Sequence, residues 1–262
     1  MKSLFMFHDF PLAIRKIIHL KLIVVFFMLA ASVIAGCGDD NPSEPEVQAI
    51  NEDLFPLVIG RQLVYNGYLR DPGTDQNNTS FTAYQAKWTV ASNAIPSPTG
   101  GTANLILDST FAPVGWVATP IIIKRNSPTG NGDMSVLQSI GSLYRTIGIS
   151  SADSLKWMDL RFDKGFDTDF TAFDTTLTLQ QGTVRLHCVS RLKPNVSVTV
   201  NGQTYNTYEL STKAAAYVNG NLYEEKPFAT FWFAPNIGPV KMIINAKGDT
   251  PGHYRELVSK NF

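Results

Sequence analysis

Apolar and polar residues alternate with a period of two along most of the chain from Leu54 to Phe262. Because successive side chains of a strand point to opposite faces of a sheet, this pattern predicts β-strands with one buried face. The alternating runs are rich in Val, Ile, Thr, Tyr, Phe and Trp, and turn-forming residues separate them about every ten positions. The predicted strands are Gln62–Arg70, Ser80–Ala91, Thr102–Ser109, Trp116–Arg125, Ser135–Ser139, Ser142–Ile147, Leu155–Phe162, Thr171–Leu179, Thr183–Leu192, Val196–Val200, Gln203–Tyr217, Phe228–Phe233, Val240–Ala246 and Tyr254–Ser259.

Helical periodicity is nearly absent after residue 54, and only the stretch Met134–Leu155 has room for a short helix. The strand pattern therefore predicts an all-β fold, an antiparallel meander. The clearest hairpin is Val196–Leu210, in which Asn201-Gly202 suits a two-residue type I′ turn because both turn positions need a positive φ. This register pairs Val198 with Tyr205 and Val196 with Thr207.

The N-terminal region has a different pattern. Lys2, Arg15, Lys16 and Lys21 precede an uncharged run, Leu22–Ala35, which is the charge order of an export signal. A helix that spans a bilayer needs about 20 apolar residues, and this run is shorter. We therefore interpret residues 1–36 as a removable signal peptide.

The end of this run, Ile34-Ala35-Gly36-Cys37, resembles the lipobox of bacterial lipoproteins. The resemblance implies cleavage before Cys37 and diacylation of its sulfur, so that the chain binds the membrane through acylated Cys37. Two or three acyl chains are enough for stable attachment. The alternative is an ordinary signal peptide that contains a cysteine by chance.

The residues after Cys37 are acidic. Residues 38–53 carry six carboxylates, two prolines and no basic residue, so we interpret 37–53 as the lipidated cysteine and a flexible tether. Residues 54–262 hold 18 Lys plus Arg against 15 Asp plus Glu and form one predicted domain. No strong positive field exists to attract nucleic acid.

Three blocks of the domain resemble a large group of envelope lipoproteins common in Bacteroidota. The blocks are FPLVIGRQLVYN (55–66), VTVNGQTYNTYEL (198–210) and FWFAPNIGPVK (231–241). The chain departs from the family pattern at three places: Leu63 stands for Trp, Asn201-Gly202-Gln203 for Pro-Ala-Gly, and Asn236 for Gly. The resemblance implies a single strongly curved antiparallel sheet or half-barrel, like those of periplasmic lipoprotein carriers. It implies a place in the cell envelope of a diderm bacterium, anchored in the outer membrane on its periplasmic or its surface face, and it brings no assigned reaction.

Candidate chemistry is sparse. After Cys37 only Cys188 remains, and alternation places it with Val184 and Leu186 on a buried face, with His187 facing outward. The histidines of the domain, His187 and His253, have no metal-ligand spacing. The carboxylates of Asp159–Asp174 do not match the EF-hand pattern. The phenylalanines among them indicate a segment whose aromatic side chains pack against the core while its carboxylates face solvent. We predict no catalytic, metal or cofactor-binding residue and no cofactor.

Four tryptophans, Trp88, Trp116, Trp157 and Trp232, raise the possibility of a platform for an apolar ligand, although each lies in a run of core-type residues. Three hypotheses remain open. The chain is a lipid-anchored binding module that holds an apolar or lipid-like ligand on a concave sheet, an accessory envelope protein that docks a partner, or, least favoured, an enzyme. A filled interior would favour the second hypothesis.

Overall fold

The computed structural model describes residues 50, 52–71, 83–97, 100–112, 115–126, 133–139, 155–179, 182–245 and 252–262. The chain divides into two compact units, Met1–Glu44 and Pro45–Phe262, and every described residue belongs to the second. The predicted signal peptide and Cys37 lie outside the described residues. The described ranges contain no helix, and so none that is long and apolar enough to cross a membrane.

Twelve antiparallel strands form one sheet. They are β1 (Gln62–Arg70), β2 (Tyr84–Pro96), β3 (Thr102–Ala112), β4 (Gly115–Arg125), β5 (Asp133–Ser139), β6 (Leu155–Arg161), β7 (Asp169–Leu179), β8 (Gly182–Val200), β9 (Gln203–Val218), β10 (Asn221–Ala234), β11 (Gly238–Ile244) and β12 (Gly252–Lys260). Their order is β6-β5-β4-β3-β2-β1-β12-β11-β10-β9-β8-β7. Strands consecutive in the sequence are therefore neighbours, except that β6 and β7 form the two edges of the sheet, and β12 pairs with β1.

The sheet curves until its two edge strands approach each other. β6 and β7 are consecutive in the chain, and the ammonium group of Lys156 on β6 donates a 2.6 Å hydrogen bond to the hydroxyl of Thr175 on β7. No backbone ladder joins these two described strands. The predicted all-β, strongly curved antiparallel sheet is thus confirmed, and the sheet is nearly closed.

In an up-and-down sheet, successive connections between strands alternate between the two ends of the sheet. One end, which we call the base, holds the start of β1, the end of β12 and the turns at 97–101, 162–168, 201–202 and 235–237. The other, the distal end, holds the β3–β4, β7–β8 and β9–β10 connections. Both chain ends of the sheet therefore lie at the base.

The inner face of the curved sheet carries the core. Alternate residues point inward, and those nearest the base are large and apolar. The largest fully buried side chains, from the strands and from the segments beside them, are Leu54, Tyr65, Ile106, Ile123, Met134, Phe162, Leu192, Val200, Leu210, Phe233 and Val240. Cys188 is buried among them at 3% exposure, as predicted, while His187 lies half-buried on the outer face, 3.2 Å from Asp174.

The predicted hairpin of β8 and β9 is confirmed in its turn and its register. Asn201 and Gly202 have φ of 47° and 78°, and Val198 pairs with Tyr205 and Val196 with Thr207. The prediction of two strands, Thr183–Leu192 and Val196–Val200, was wrong. They form one strand, β8, because an irregularity between Lys193 and Val196 absorbs Pro194 and Asn195, whose φ is 55°.

Other boundaries also differ from the prediction. β10 begins at Asn221 instead of Phe228, and β3 extends to Ala112. Within the stretch that could have held a helix, Asp133–Ser139 is a strand. The predicted strand Ser142–Ile147 lies outside the described residues.

Candidate functional site

The base of the inner face is filled by the chain segment that precedes β1. Leu54 and Phe55 are 0% and 6% exposed, and the Phe55 ring packs 6.0 Å from Trp88 and 5.9 Å from Phe233 between ring centroids. Phe162, which follows β6, packs against the same Phe233 ring, with 5.0 Å between the ring centroids. The interior at this end is thus occupied by the protein's own aromatic side chains.

Asp53 and Arg125 hold this segment in place. The Arg125 Nη2 atom donates hydrogen bonds to both Asp53 carboxylate oxygens, at 3.0 and 2.9 Å, and to the Phe55 carbonyl at 3.0 Å. The Asn236 backbone amide donates to the Asp53 carbonyl at 2.8 Å. Asp53, which the sequence pattern placed at the end of the tether, is therefore bound to the folded domain.

A small hollow remains at the base, lined by Phe55, Trp88, Ile106, Ile237 and Phe262 among others. Its volume of about 20 Å³ has room for roughly one water molecule. Pockets that hold drug-sized ligands have volumes of about 300–1,000 Å³. In its present form this hollow cannot hold an acyl chain.

Farther toward the distal end, the inner face carries a buried ion pair. The Arg255 Nη1 atom, on β12, donates hydrogen bonds to both carboxylate oxygens of Asp108 on β3, each at 2.9 Å. Arg255 Nε donates to the Tyr84 hydroxyl at 3.1 Å, and that hydroxyl lies 2.9 Å from Nδ1 of His253. We call these four residues the polar cluster.

The backbone of β1 makes room for the polar cluster at Gly67. Gly67 pairs with Tyr84 on one side and with Arg255 on the other. A Cβ atom at Gly67 would lie 2.4 Å from the Tyr84 ring. The absence of a side chain there lets the ring of Tyr84 lie across the strand and meet Arg255.

The electrostatics of the polar cluster favour a structural ion pair. Burial works to lower the pKa of Arg255, but Asp108 and Tyr84 outweigh it, so its pKa is raised and the guanidinium stays charged. Burial raises the pKa of Tyr84, so its hydroxyl stays neutral. A neutral phenol and a guanidinium bonded to both oxygens of a carboxylate offer no activated nucleophile.

Exposed large apolar side chains concentrate at the two ends of the sheet. At the distal end, Phe111 and Trp116 are 55% and 46% exposed, and their rings pack edge to face at 5.6 Å. The first residues of β10 expose Leu222 and Tyr223 at the same end. Exposed apolar clusters of this kind mark sites of interaction on many proteins.

The structure separates the residues that the sequence grouped as candidates. Trp88 faces inward, whereas Trp232 lies on the outer face, where its Nε1 atom donates a 3.0 Å hydrogen bond to Glu209. Four of the five carboxylates of Asp159–Asp174 face arginines or a hydroxyl: Asp163 pairs with Arg161, Asp169 with Arg191, Asp174 with Arg185, and Asp159 accepts a hydrogen bond from Ser135. Among the described residues, no group of three or more His, Cys, Asp or Glu could hold a metal ion.

The sequence pattern did not predict the polar cluster. Asp108 and Arg255 are 147 positions apart, and each sits at an inward position of an alternating strand. A charged residue at an apolar position of the pattern was the available signal, although it does not reveal which strand supplies the partner.

Comparisons with known proteins give distant likenesses. No family model matches the chain, and no curated protein matches it significantly. One similar solved structure is a "putative lipoprotein" from Parabacteroides distasonis, at 14% identity over 80% of this chain and 99% of that one, with a TM-score of 0.44. Another is a "putative exported protein" with a YmcC-like fold from Bacteroides fragilis, at 15% identity over 80% and 100%, with a TM-score of 0.43.

Proposed function

We propose that this chain is a noncatalytic cell-envelope lipoprotein, anchored through acylated Cys37, whose β domain docks a protein partner with its distal end. The lipid anchor rests on the sequence alone: a basic lead-in, an uncharged run and the lipobox-like Ile34–Cys37. The acidic tether that follows keeps the domain close to the membrane without a rigid connection.

The observation that carries the docking function is the exposed aromatic pair of Phe111 and Trp116. The part of β4 that follows Trp116 is exposed on both faces, from Val117 to Pro120, so this hairpin extends beyond the packed core. The sequence from Ser109 to Ile123 carries no charge. An uncharged, protruding hairpin with two large rings at its end is suited to burial against another protein.

The inner face supports this choice over the storage of an apolar ligand. Its base is filled by Leu54, Phe55 and Phe162, and its more distal part carries the charged pair Arg255–Asp108. An apolar ligand would have to displace the aromatic side chains or lie against the ion pair. We therefore expect no saturable binding of a fluorescent fatty acid by the chain.

The anchor can be tested with Cys37→Ser. Metabolic labelling with an alkyne fatty acid is expected to mark the wild-type chain and not the variant, because a serine oxygen cannot replace the sulfur in the lipid-transfer step. Equal labelling of both chains would refute the anchor.

The docking surface can be tested by photocrosslinking in the host bacterium. A photoreactive amino acid replaces Trp116 in one variant and the exposed Val258 on the outer face of β12 in the control. We expect one discrete crosslinked protein from the Trp116 position and none from the control. The same weak products from both positions, or saturable binding of the fatty acid, would contradict the proposal.

A further inference from the structure

The base of the domain exposes a second apolar feature, the turn Val58–Gly60. Val58 and Ile59 are 55% and 56% exposed. The turn is fixed by hydrogen bonds, because the Arg61 amide donates to the Val58 carbonyl at 3.1 Å and the Gly60 amide to the Val90 carbonyl at 2.9 Å. The fold therefore holds two branched apolar side chains in an exposed position on a rigid backbone.

Two cations and an aromatic ring flank this turn. The Arg61 guanidinium carbon lies 4.0 Å and the Lys260 ammonium nitrogen 5.4 Å from the centroid of the Phe262 ring, which belongs to a residue 42% exposed. No carboxylate among the described residues forms an ion pair with Arg61 or Lys260. We call Val58, Ile59, Arg61, Lys260 and Phe262 the base patch.

The base patch is held together by Asn261, which joins the last strand to the turn. Asn261 Nδ2 donates a hydrogen bond to the Gly60 carbonyl at 3.0 Å, and its Oδ1 atom accepts one from the Gln62 amide at 2.8 Å. The cations and the apolar turn therefore share one surface, although they come from opposite ends of the domain sequence.

The base patch lies at the end of the domain where the tether arrives. The segment from Asp53 to Phe55 enters the sheet at the base, and Cys37 precedes Asp53 by 16 residues. A flexible chain of that length has an end-to-end distance of about 22 Å, small enough to bring the base to the bilayer. A second contact with the same bilayer then gains from a high effective concentration.

We propose that the base patch rests on the bilayer in which acylated Cys37 is anchored, with Val58 and Ile59 inserted at the boundary of headgroups and acyl chains. Arg61 and Lys260 contact lipid phosphates, and the Phe262 ring lies at headgroup level. The six carboxylates of the tether oppose a strongly anionic surface, so the expected bilayer is rich in zwitterionic phospholipid. This inference rests on the lipid anchor of the proposed function, and it leaves the distal end facing away from the membrane.

The test uses the full acylated protein, extracted from membranes and reconstituted into phosphatidylethanolamine–phosphatidylcholine vesicles. Ile59→Cys carries an environment-sensitive fluorophore in one variant, and Leu222→Cys, equally exposed at the distal end, carries it in the matched control. Cys188 is buried and Cys37 is acylated, so the label reports the introduced position. Nitroxide-labelled lipids then quench whichever fluorophore touches the bilayer.

We expect severalfold stronger quenching and a blue-shifted emission at position 59 relative to position 222, with the same result for Val58→Cys. Equal quenching at both ends overturns the inference, and so does a blue shift at position 59 without lipid quenching, which would indicate a protein partner. Flotation with the vesicles tests the anchor separately. A protein that floats but shows no quenching at position 59 refutes the base contact and leaves the proposed function intact, whereas failure to float refutes both.

Discussion

The buried pair Arg255–Asp108 gives a quantitative prediction about stability. The Arg255 and Asp108 side chains are 10% and 19% exposed, so removal of one partner leaves a charge in a site that water scarcely reaches. Breaking such a pair costs about 3–5 kcal/mol. For Asp108→Ala we expect the lower part of this range, about 3 kcal/mol, because Arg255 keeps its hydrogen bond to Tyr84.

A double replacement distinguishes the ion pair from simple loss of packing. Asp108→Leu combined with Arg255→Met replaces both charges by apolar groups, and we expect its free energy of unfolding to lie within about 1–2 kcal/mol of wild type, because neither charge is left unpaired. Urea unfolding of the chain from Gly38 onward measures each value. A loss of 3 kcal/mol would lower the melting temperature by about 6–12 °C in a domain of this size.

The exposed pair Arg185–Asp174 is the matched control. Its side chains are 47% and 35% exposed, and Asp174→Ala is expected to cost much less stability than Asp108→Ala because water screens the charges. If Asp108→Ala cost no more than Asp174→Ala, or if the double replacement were as unstable as the single one, the ion pair would not be buried as described.

Three further predictions concern the turn, the base and the carboxylates, all measured by unfolding of the same chain. Gly202→Val is expected to cost about 1 kcal/mol or more, because a β-branched residue is strained at φ of 78°, and an unchanged midpoint would contradict the turn geometry. Phe55→Ala is expected to cost about 3–5 kcal/mol through the cavity left between Trp88 and Phe233, whereas a cost below about 1 kcal/mol would mean that the base is not packed as described. The hydrogen bond from Arg161 lowers the pKa of Asp163. The ionised Asp163 therefore stabilises the fold above its unfolded-state pKa of about 4, and this stabilisation is lost as the pH falls through the folded-state pKa. Asp163→Asn should lose less stability between about pH 5 and pH 2 than wild type, and identical curves of stability against pH would contradict the pairing.

The sequence predicted the architecture well where local pattern decides structure. Alternation around Cys188 identified its buried face, and Asn201-Gly202 identified a turn whose two residues both have positive φ. It failed at Pro194-Asn195, where a bulge in one long strand resembles the boundary between two strands. Residues such as Pro and Asn show that the strand is interrupted, but whether it ends there or continues through a bulge depends on its pairing with distant strands.

The candidate sites depend on relations that alternation does not contain. Which face of the sheet Trp88 and Trp232 occupy follows from the direction of curvature, and the contact of Arg255 with Asp108 follows from the return of β12 to β1. The insertion of Phe55 into the base could not be predicted either, because the segment before β1 has no strand period of its own. Each of these features is set by long-range packing.

Acylation of Cys37 underlies both the proposed function and the proposed bilayer contact, and intact-mass spectrometry of the protein purified from bacterial membranes can detect it. We predict a chain that begins at Cys37, lacks residues 1–36, and is heavier than its amino-acid sequence by a diacylglyceryl group, with or without a further acyl chain. A chain that begins elsewhere, or one whose Cys37 carries no added mass, would refute the lipid anchor.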